Sequence, residues 1–432
     1  MRLLYDLGIW GYGAAVRLAA LLGNHRARQW VLGRKQVWAS LSEWQQKRGD
    51  RRVLWLHAAS AGEFEQGLPI LDALRERIPD LYILVSFFSP SGYQLHKTYP
   101  GADGIVFLPE DKPSNVARWM ALVRPDLSLF VKYEYWYHFY RAHRRAGIPL
   151  WVVSAPFRRS QPFFRRPTAR FWGEMLEAVT HFFVLNAESA ALLGALGIER
   201  VSINGDTRVD RVMKIRDESF SDPILDAFSS GARVVVAGST WPKDEELLLD
   251  SLKTLMADAQ GPLIKLILVP HHPNTERIDE LIDQYNGSTG RMIRWSKADR
   301  SMAAEARILW IDRMGMLSRL YRYANIAWVG GGFGMGIHNI LEPAVYGIPV
   351  GFGPNYHRFA EAHTLLAHQW AFCAQDQESF CLAWRSLSQE GEPLRIRAEL
   401  SQWFAQNQGA SFRIADKAVD WLTSAHNRTA YP

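Results

Sequence analysis

Val53-Leu54-Trp55-Leu56-His57-Ala58-Ala59-Ser60-Ala61-Gly62-Glu63 is the stretch from which the fold can be read. Residues 53–57 are a short apolar run, residues 58–62 a turn of small side chains, and a helical stretch follows to Arg77. Leu81-Tyr82-Ile83-Leu84-Val85-Ser86 is then a second run of the buried-strand type. Strand, turn, helix and strand in that order form a βαβ unit, and a chain of such units forms a parallel sheet.

The same alternation continues outward from this stretch. Runs at 104–108, 127–131, 150–154, 181–185 and 201–203 read as further strands. Residues 210–233 are charged and Ser-rich, contain Pro223, and read as a linker. Beyond them the pattern restarts, with strands at 233–237, 263–269, 308–311, 326–329 and 349–352. The expected fold class is α/β, with two doubly wound, Rossmann-like domains facing across a cleft. Such sheets bind ligands beyond the carboxyl ends of their strands. The expected boundaries are 1–35 for an N-terminal helix and basic segment, 36–212 for the first domain and 213–432 for the second. The terminal helices are expected to return to the first domain.

Composition narrows the classes. A chain of 432 residues fits about two domains of ordinary size, and 48% hydrophobic with 22% charged residues excludes disorder as the default. Two cysteines, Cys373 and Cys381, exclude a disulfide framework, and no Cys/His spacing points to a metal. A net charge of +6 suits an anionic substrate or an anionic lipid surface. The basic residues match no nucleic-acid module, so no nucleic-acid partner is expected. Seventeen tryptophans, many near basic residues, suggest places that are greasy at one end and wet at the other.

Residues 3–22 carry Leu3, Leu7, Trp10, Ala14, Leu18 and Leu21 at helical spacing, together with Asp6 and Arg17, and cationic residues follow from His25 to Lys35. This reads as a helix lying in a membrane surface against anionic lipid. The alternatives are an amphipathic helix packed on the protein and a single membrane span.

Five constellations carry chemistry. His57–Glu63 opens a helix directly after a strand. Glu63 can take a proton from an attacking hydroxyl there, or close a capping box with Ser60. The helix field is expected to hold its pKa down. Lys132-Tyr133-Glu134-Tyr135-Trp136-Tyr137-His138 follows the strand at 127–131 and sets charge and aromatics at a strand end. Arg158, Arg159, Arg165, Arg166 and Arg170, interleaved with Phe157, Phe163, Phe164, Phe171 and Trp172, suit an anionic or lipid face. Gly238-Ser239-Thr240-Trp241 feeds a helix start, and is either an anion site or an ordinary cap. Val329-Gly330-Gly331-Gly332-Phe333-Gly334-Met335-Gly336-Ile337-His338-Asn339-Ile340-Leu341-Glu342-Pro343 reads as strand, glycine-rich loop and helix. Its glycines let backbone N–H groups reach a phosphate, with Glu342 placed for ribose hydroxyls. Its spacing is not that of a nicotinamide-binding turn.

In these motifs the chain resembles the Kdo transferases, which attach 3-deoxy-D-manno-octulosonic acid to the lipid A precursor. The resemblance runs through His57-x-x-Ser60-x-Gly62-Glu63, Glu134-x-Trp136, Gly238-Ser239-Thr240 and Val269-Pro270-x-His272-Pro273. It continues through Gly330-Gly331 and His338-Asn339-x-Leu341-Glu342-Pro343 to Gly353-Pro354. It implies a GT-B fold, CMP-Kdo as donor, a lipid A precursor as acceptor, inversion at the anomeric carbon, no metal and no cofactor. It also implies the cytoplasmic face of the inner membrane. By the same resemblance Glu63 is the general base and Glu134 a second acidic group. Ser60, Gly62, Lys132 and Arg158 lie on the acceptor side. Ser239, His271, His272, Gly331, Asn339 and Glu342 lie on the donor side, with Met314, Gly315 and Met316 in a nucleotide-facing loop.

The chain departs from the family pattern in three places. Pro270-His271-His272 stands for Pro-Arg-His, so the phosphate charge falls to Lys265, Lys243 or helix N-termini. Lys132-Tyr133-Glu134 stands for Glu-Thr-Glu, and Trp136-Tyr137-His138 for Trp-Pro-Asn. A UDP-sugar transferase or epimerase, and a non-catalytic membrane-binding protein, are the rival readings.

Overall fold

The computed structural model describes residues 1–132, 134–165, 168–256, 262–285 and 290–424. The chain divides into two compact units. The first runs from Met1 to Arg211 and resumes at Asn407, and the second spans Val212–Gln406. Each is built on one parallel sheet of seven strands, as the alternating apolar runs imply.

In the first unit the strands are β1 (Val53–Ala58), β2 (Tyr82–Phe87), β3 (Gly104–Phe107), β4 (Leu127–Val131), β5 (Leu150–Ala155), β6 (His181–Val184) and β7 (Val201–Ile203). Their spatial order is β3-β2-β1-β4-β5-β6-β7. The centre is buried on both faces, so every side chain of β1, β2, β4 and β5 is shielded from water. This is why those strands read as unbroken apolar runs. Trp55 on β1 lies beside Leu84 and Ser128 and meets Trp119 at 4.9 Å between ring centres.

In the second unit the strands are β8 (Arg233–Thr240), β9 (Ile264–Pro270), β10 (Met292–Arg294), β11 (Ile308–Trp310), β12 (Ile326–Val329), β13 (Val350–Phe352) and β14 (Ala371–Cys373). They are ordered β10-β11-β9-β8-β12-β13-β14. In each sheet the chain leaves its first strand in one direction and later returns to that strand's other side. The reversal lies between β1 and β4 in one unit and between β8 and β12 in the other. The crevice beyond these strand ends is the place where such folds take ligands.

Three expectations are corrected by the packing. Residues 210–233 are not a bare linker, because they form the helices Thr207–Asp217 and Pro223–Ser229. Asp222 caps the second helix by accepting from the N–H groups of Ile224 and Leu225, and Leu225 and Phe228 are buried. The tryptophans are largely core residues, for Trp55, Trp119, Trp310 and Trp328 are completely buried. Truncating one of these to alanine would cost about 3–5 kcal/mol. The aromatics among the arginines are core as well, since Phe157, Phe163 and Phe171 are buried while Arg158, Arg159, Arg165 and Arg170 are exposed. That segment is therefore not an aromatic lipid face. Arg166 lies outside the described residues.

The terminal helix Ala410–Thr423 packs Ile414, Ala415, Ala418 and Leu422 into the same core as Leu56, Ile70 and Leu71. Buried Asp210 anchors its start, accepting from Ser411 N at 2.7 Å and Ser411 Oγ at 2.6 Å.

The first helix, Arg2–Leu21, docks by its polar face. Tyr5 donates its hydroxyl to Asp111 at 2.6 Å, Asp6 pairs with His138 at 2.6 Å, and Arg17 donates to Glu110 at 2.7 Å. The apolar stripe is left facing outward. Leu3, Leu7, Trp10, Leu18 and Leu21 are 58–81% exposed, so the reading of an ordinary helix with its greasy face packed on the protein fails. Among the described residues no helix is long and apolar enough to cross a membrane, so the single-span alternative fails too. His138, one of the departures from the family pattern, is what holds Asp6 of this helix.

Candidate active site: two strand-end crevices

In the first unit, β1 ends in His57 and Ala58, and Ser60 opens the helix Ala61–Arg77. The Glu63 carboxylate folds back on this start. Its Oε2 accepts from Ser60 N at 3.1 Å and lies 3.4 Å from Ser60 Oγ. Glu63 therefore does cap its helix. Its basicity is opposite to the helix-field expectation. Burial, and then the nearby Glu134, push its pKa above the ordinary glutamate value, outweighing Lys132 and His57. Desolvation and a like charge both disfavour the ionised form.

Glu134 follows β4, the strand beside β1. Its Oε2 accepts from Trp136 Nε1 at 2.9 Å and faces His57 Nε2 at 3.1 Å. His57 is completely buried, with Nδ1 2.8 Å from Ser86 Oγ on β2. Tyr140 donates its hydroxyl to the Glu134 carbonyl at 2.9 Å. Two carboxylates with unlike surroundings thus share the crevice, one held by a histidine and an indole, the other by a helix start. Lys132 sits at the end of β4 with φ of 60°, a left-handed backbone that a lysine rarely adopts. Gly62 is exposed at the crevice mouth, and Arg158 lies on the exposed segment after β5. Tyr133 lies outside the described residues.

In the second unit, β8 runs on to Thr240, with a register shift between Gly238 and Thr240 and Ser239 at φ 53°. Asp244, in the first turn of the helix Pro242–Met256, is completely buried. It accepts from Trp241 N at 2.9 Å, Trp328 Nε1 at 3.0 Å and Gly331 N at 3.1 Å. One carboxylate therefore ties the helix start to β12 and to the glycine-rich loop. Thr240 Oγ1 donates to Glu245 at 2.9 Å.

These bonds decide between two alternatives and correct one expectation. The Trp241 amide is given to Asp244, so this helix start is a cap. The glycine amides are engaged internally as well. Gly330 N donates to Gly238 O, Gly331 N to Asp244, and Gly334 N and Gly336 N to Gly331 O, all within 2.9–3.2 Å. The glycines serve close packing, because a side chain on Gly332 would meet Gly353 backbone at 2.6 Å. The helix beyond the loop is only Leu341–Ala344.

What lines the crevice is aromatic and imidazole. His271 stacks on Trp241 at 5.1 Å and on His338 at 4.5 Å between ring centres, with His272 4.4 Å from His271. Burial, then His271 and His272, push His338 down to about 4, and burial followed by His272 also lowers His271. Asn339 donates to Glu342 at 3.1 Å and accepts from Leu341 N at 3.2 Å. Met314 and Gly315 are exposed and Met316 half-buried on the loop beyond β11. Lys265 does not reach this crevice. It lies near the amino end of β9 and donates to the Ala304 carbonyl at 2.6 Å. Asp244, His57, His338 and Trp241 are the residues the motifs undervalued. An acidic residue three places after Trp241 was the available signal for Asp244.

Two doubly wound parallel sheets with polar crevices at their switch points have the architecture of the GT-B class. A solved UDP-N-acetylglucosamine 2-epimerase superposes with a TM-score of 0.61 at 13% identity, covering 88% of this chain and 98% of that one, and so shares the fold. Residues 35–211 match the model of the 3-deoxy-D-manno-octulosonic-acid transferase (kdotransferase) family. Over these residues the chain resembles the Kdo transferases. The 3-deoxy-D-manno-octulosonic acid transferase of Bordetella pertussis is 27% identical over 381 residues, 85% of this chain and 87% of that protein. That of Chlamydia muridarum is 26% identical over 85% of each.

Proposed function

We propose that the chain transfers Kdo from CMP-Kdo to a lipid A precursor, with inversion at the anomeric carbon, as a step of lipopolysaccharide synthesis at the cytoplasmic face of the inner membrane. The acceptor hydroxyl attacks the anomeric carbon and gives its proton to Glu63. The bond from that carbon to the phosphate oxygen breaks, and CMP leaves with the electron pair. Glu134, held by His57 and Trp136, keeps negative charge near Glu63 and sustains its basicity. Ser239, His271, His272, Asn339 and Glu342 are the donor contacts, with Met314, Gly315 and Met316 along the nucleotide. Ser60, Gly62, Lys132 and Arg158 serve the acceptor. The outward apolar stripe of the helix Arg2–Leu21 sets the enzyme on the bilayer that holds the lipid acceptor.

The observation that carries this reading is the Glu63 carboxylate at the β1 strand end, its basicity raised by burial and by Glu134. Transfer by Glu63→Ala, assayed with CMP-Kdo and the lipid precursor, is expected to fall about 10²–10⁴-fold with CMP binding unchanged. Near-wild-type transfer would remove Glu63 from the mechanism. CMP is expected to inhibit and UDP not. Inhibition by UDP alone would favour the UDP-sugar alternative.

A further inference from the structure

A groove in the first unit belongs to neither crevice. It runs between the helices Pro113–Val123 and Tyr137–Ala146, close to the start of the helix Arg2–Leu21, and encloses about 390 Å³. Its floor is apolar and small, with Val116, Ala117 and Ala142. Its rim is cationic, with Arg2, Arg141 and Arg145, and no carboxylate lines it. His138 also lines the groove, and Asp6 is committed to it at 2.6 Å and approaches Arg2 at 3.8 Å. Arg141 is braced against Tyr137, its Nη1 3.3 Å from the phenol oxygen. Arg145 is exposed.

The groove adjoins the membrane-facing stripe directly. Arg2 forms part of its wall, and the next residues in the helix, Leu3 and Leu4, are 77% and 64% exposed. A ligand in this position needs a compact anion for the arginines and hydrocarbon for the floor and the neighbouring leucines. We infer that the groove binds the headgroup phosphate of an anionic glycerophospholipid, its acyl chains lying along the stripe that begins at Leu3. Arginine's planar fork takes two phosphate oxygens at once, which lysine cannot do. The stripe supplies apolar adhesion without lipid preference, and the groove supplies preference for an anionic headgroup.

This inference rests on the membrane reading of the first helix, and the experiment separates the two. The full chain is co-sedimented with vesicles of phosphatidylcholine, alone or mixed with phosphatidylglycerol. The wild type is expected to prefer the mixed vesicles. The double variant R141K/R145K keeps the charge but loses the fork. Its preference is expected to drop about ten-fold, the worth of one hydrogen bond to a charged group, with binding to phosphatidylcholine unchanged. In parallel, monomeric dihexanoyl phosphatidylglycerol is expected to raise the melting temperature of the wild type and not of the variant. A variant that keeps the full preference, or a wild type that has none, overturns the headgroup site and leaves the apolar stripe standing. A wild type that ignores all vesicles but is stabilised by the soluble lipid overturns the membrane reading and keeps the groove. No response to either lipid form overturns both. Unchanged melting of the unliganded variant excludes misfolding as the cause of a loss.

Discussion

At the scale of single residues, Glu63 is asked to do opposing things. As a capping group it is best ionised, and as a base in a half-buried crevice beside Glu134 it is held above the ordinary glutamate pKa. A carboxyl whose folded-state pKa lies above its unfolded value binds its proton more tightly in the folded protein. Stability is then highest below the unfolded pKa and falls as pH rises through the window up to the folded one. At neutral pH the ionised Glu63 therefore destabilises the first unit. Glu63→Gln keeps an acceptor for Ser60, as glutamine serves a capping box equally. It should melt higher than wild type at neutral pH while losing transfer, and this gain should vanish under acid conditions. A calorimetric scan at two pH values checks it. The acid limb of the transfer rate should lie above the pKa of a free glutamate, because only the carboxylate accepts the proton. His271 allows a second prediction. The free imidazole is held below its ordinary pKa by burial and by His272, whereas a bound phosphate favours the charged ring. CMP binding should therefore take up a proton, and it should strengthen as the pH falls from about 8 to about 6. His271→Arg should tighten CMP about ten-fold, the worth of one hydrogen bond to a charged group, and flatten that dependence. Titration calorimetry in two buffers of different ionisation enthalpy reads both.

At the scale of elements, the donor crevice is held by Asp244 and by glycines that let strands and loops touch. Asp244→Ala would leave the donors of Trp241, Trp328 and Gly331 without their acceptor in a buried place. Each orphaned group costs about 1–3 kcal/mol. The second unit should lose at least ~3 kcal/mol in urea unfolding, and CMP should bind more weakly. Gly332→Ala should do the same through the Gly353 backbone. What was legible in the sequence follows from burial. β1, β2, β4 and β5 are shielded on both faces, so their apolar runs announce them. The outermost strands of the second sheet, β10 and β14, are three residues each. Length alone is not the reason they escaped notice, since β7, β11 and β13 are equally short and were legible; in β10 the apolar Met292 and Ile293 stand between Arg291 and Arg294. The helix expected after the glycine-rich loop is four residues long, with Pro343 inside it and Gly347, at φ 72°, soon after its end. The glycines mark a place where strand and loop backbones touch. Whether their amides point to a ligand or to each other depends on Asp244, which lies on another element and could not be paired with them from spacing alone.

At the scale of the whole molecule, the helix Arg2–Leu21 shows why periodicity is an incomplete guide. Apolar residues three and four apart define a face, but they do not say which side is turned to the protein. That is decided by Tyr5, Asp6 and Arg17, which find Asp111, His138 and Glu110 on the first unit. Polar docking leaves leucines and Trp10 in water, and water is a costly neighbour for so much hydrocarbon unless something covers it. A lipid surface covers it without specific contacts. Leu7 and Leu18 are 67% and 58% exposed, so Leu7→Glu and Leu18→Glu should fold as wild type. Each should weaken vesicle binding by at least about ten-fold, the worth of one leucine buried in hydrocarbon. The consequence for catalysis separates adhesion from chemistry. With the lipid acceptor embedded in vesicles, the variants should show a raised KM and an unchanged kcat. With the acceptor dispersed in detergent, both constants should equal those of wild type. A fall in kcat in detergent would mean that the helix shapes the crevice around Glu63. Unchanged kinetics on vesicles would mean that the exposed stripe has another partner than the membrane.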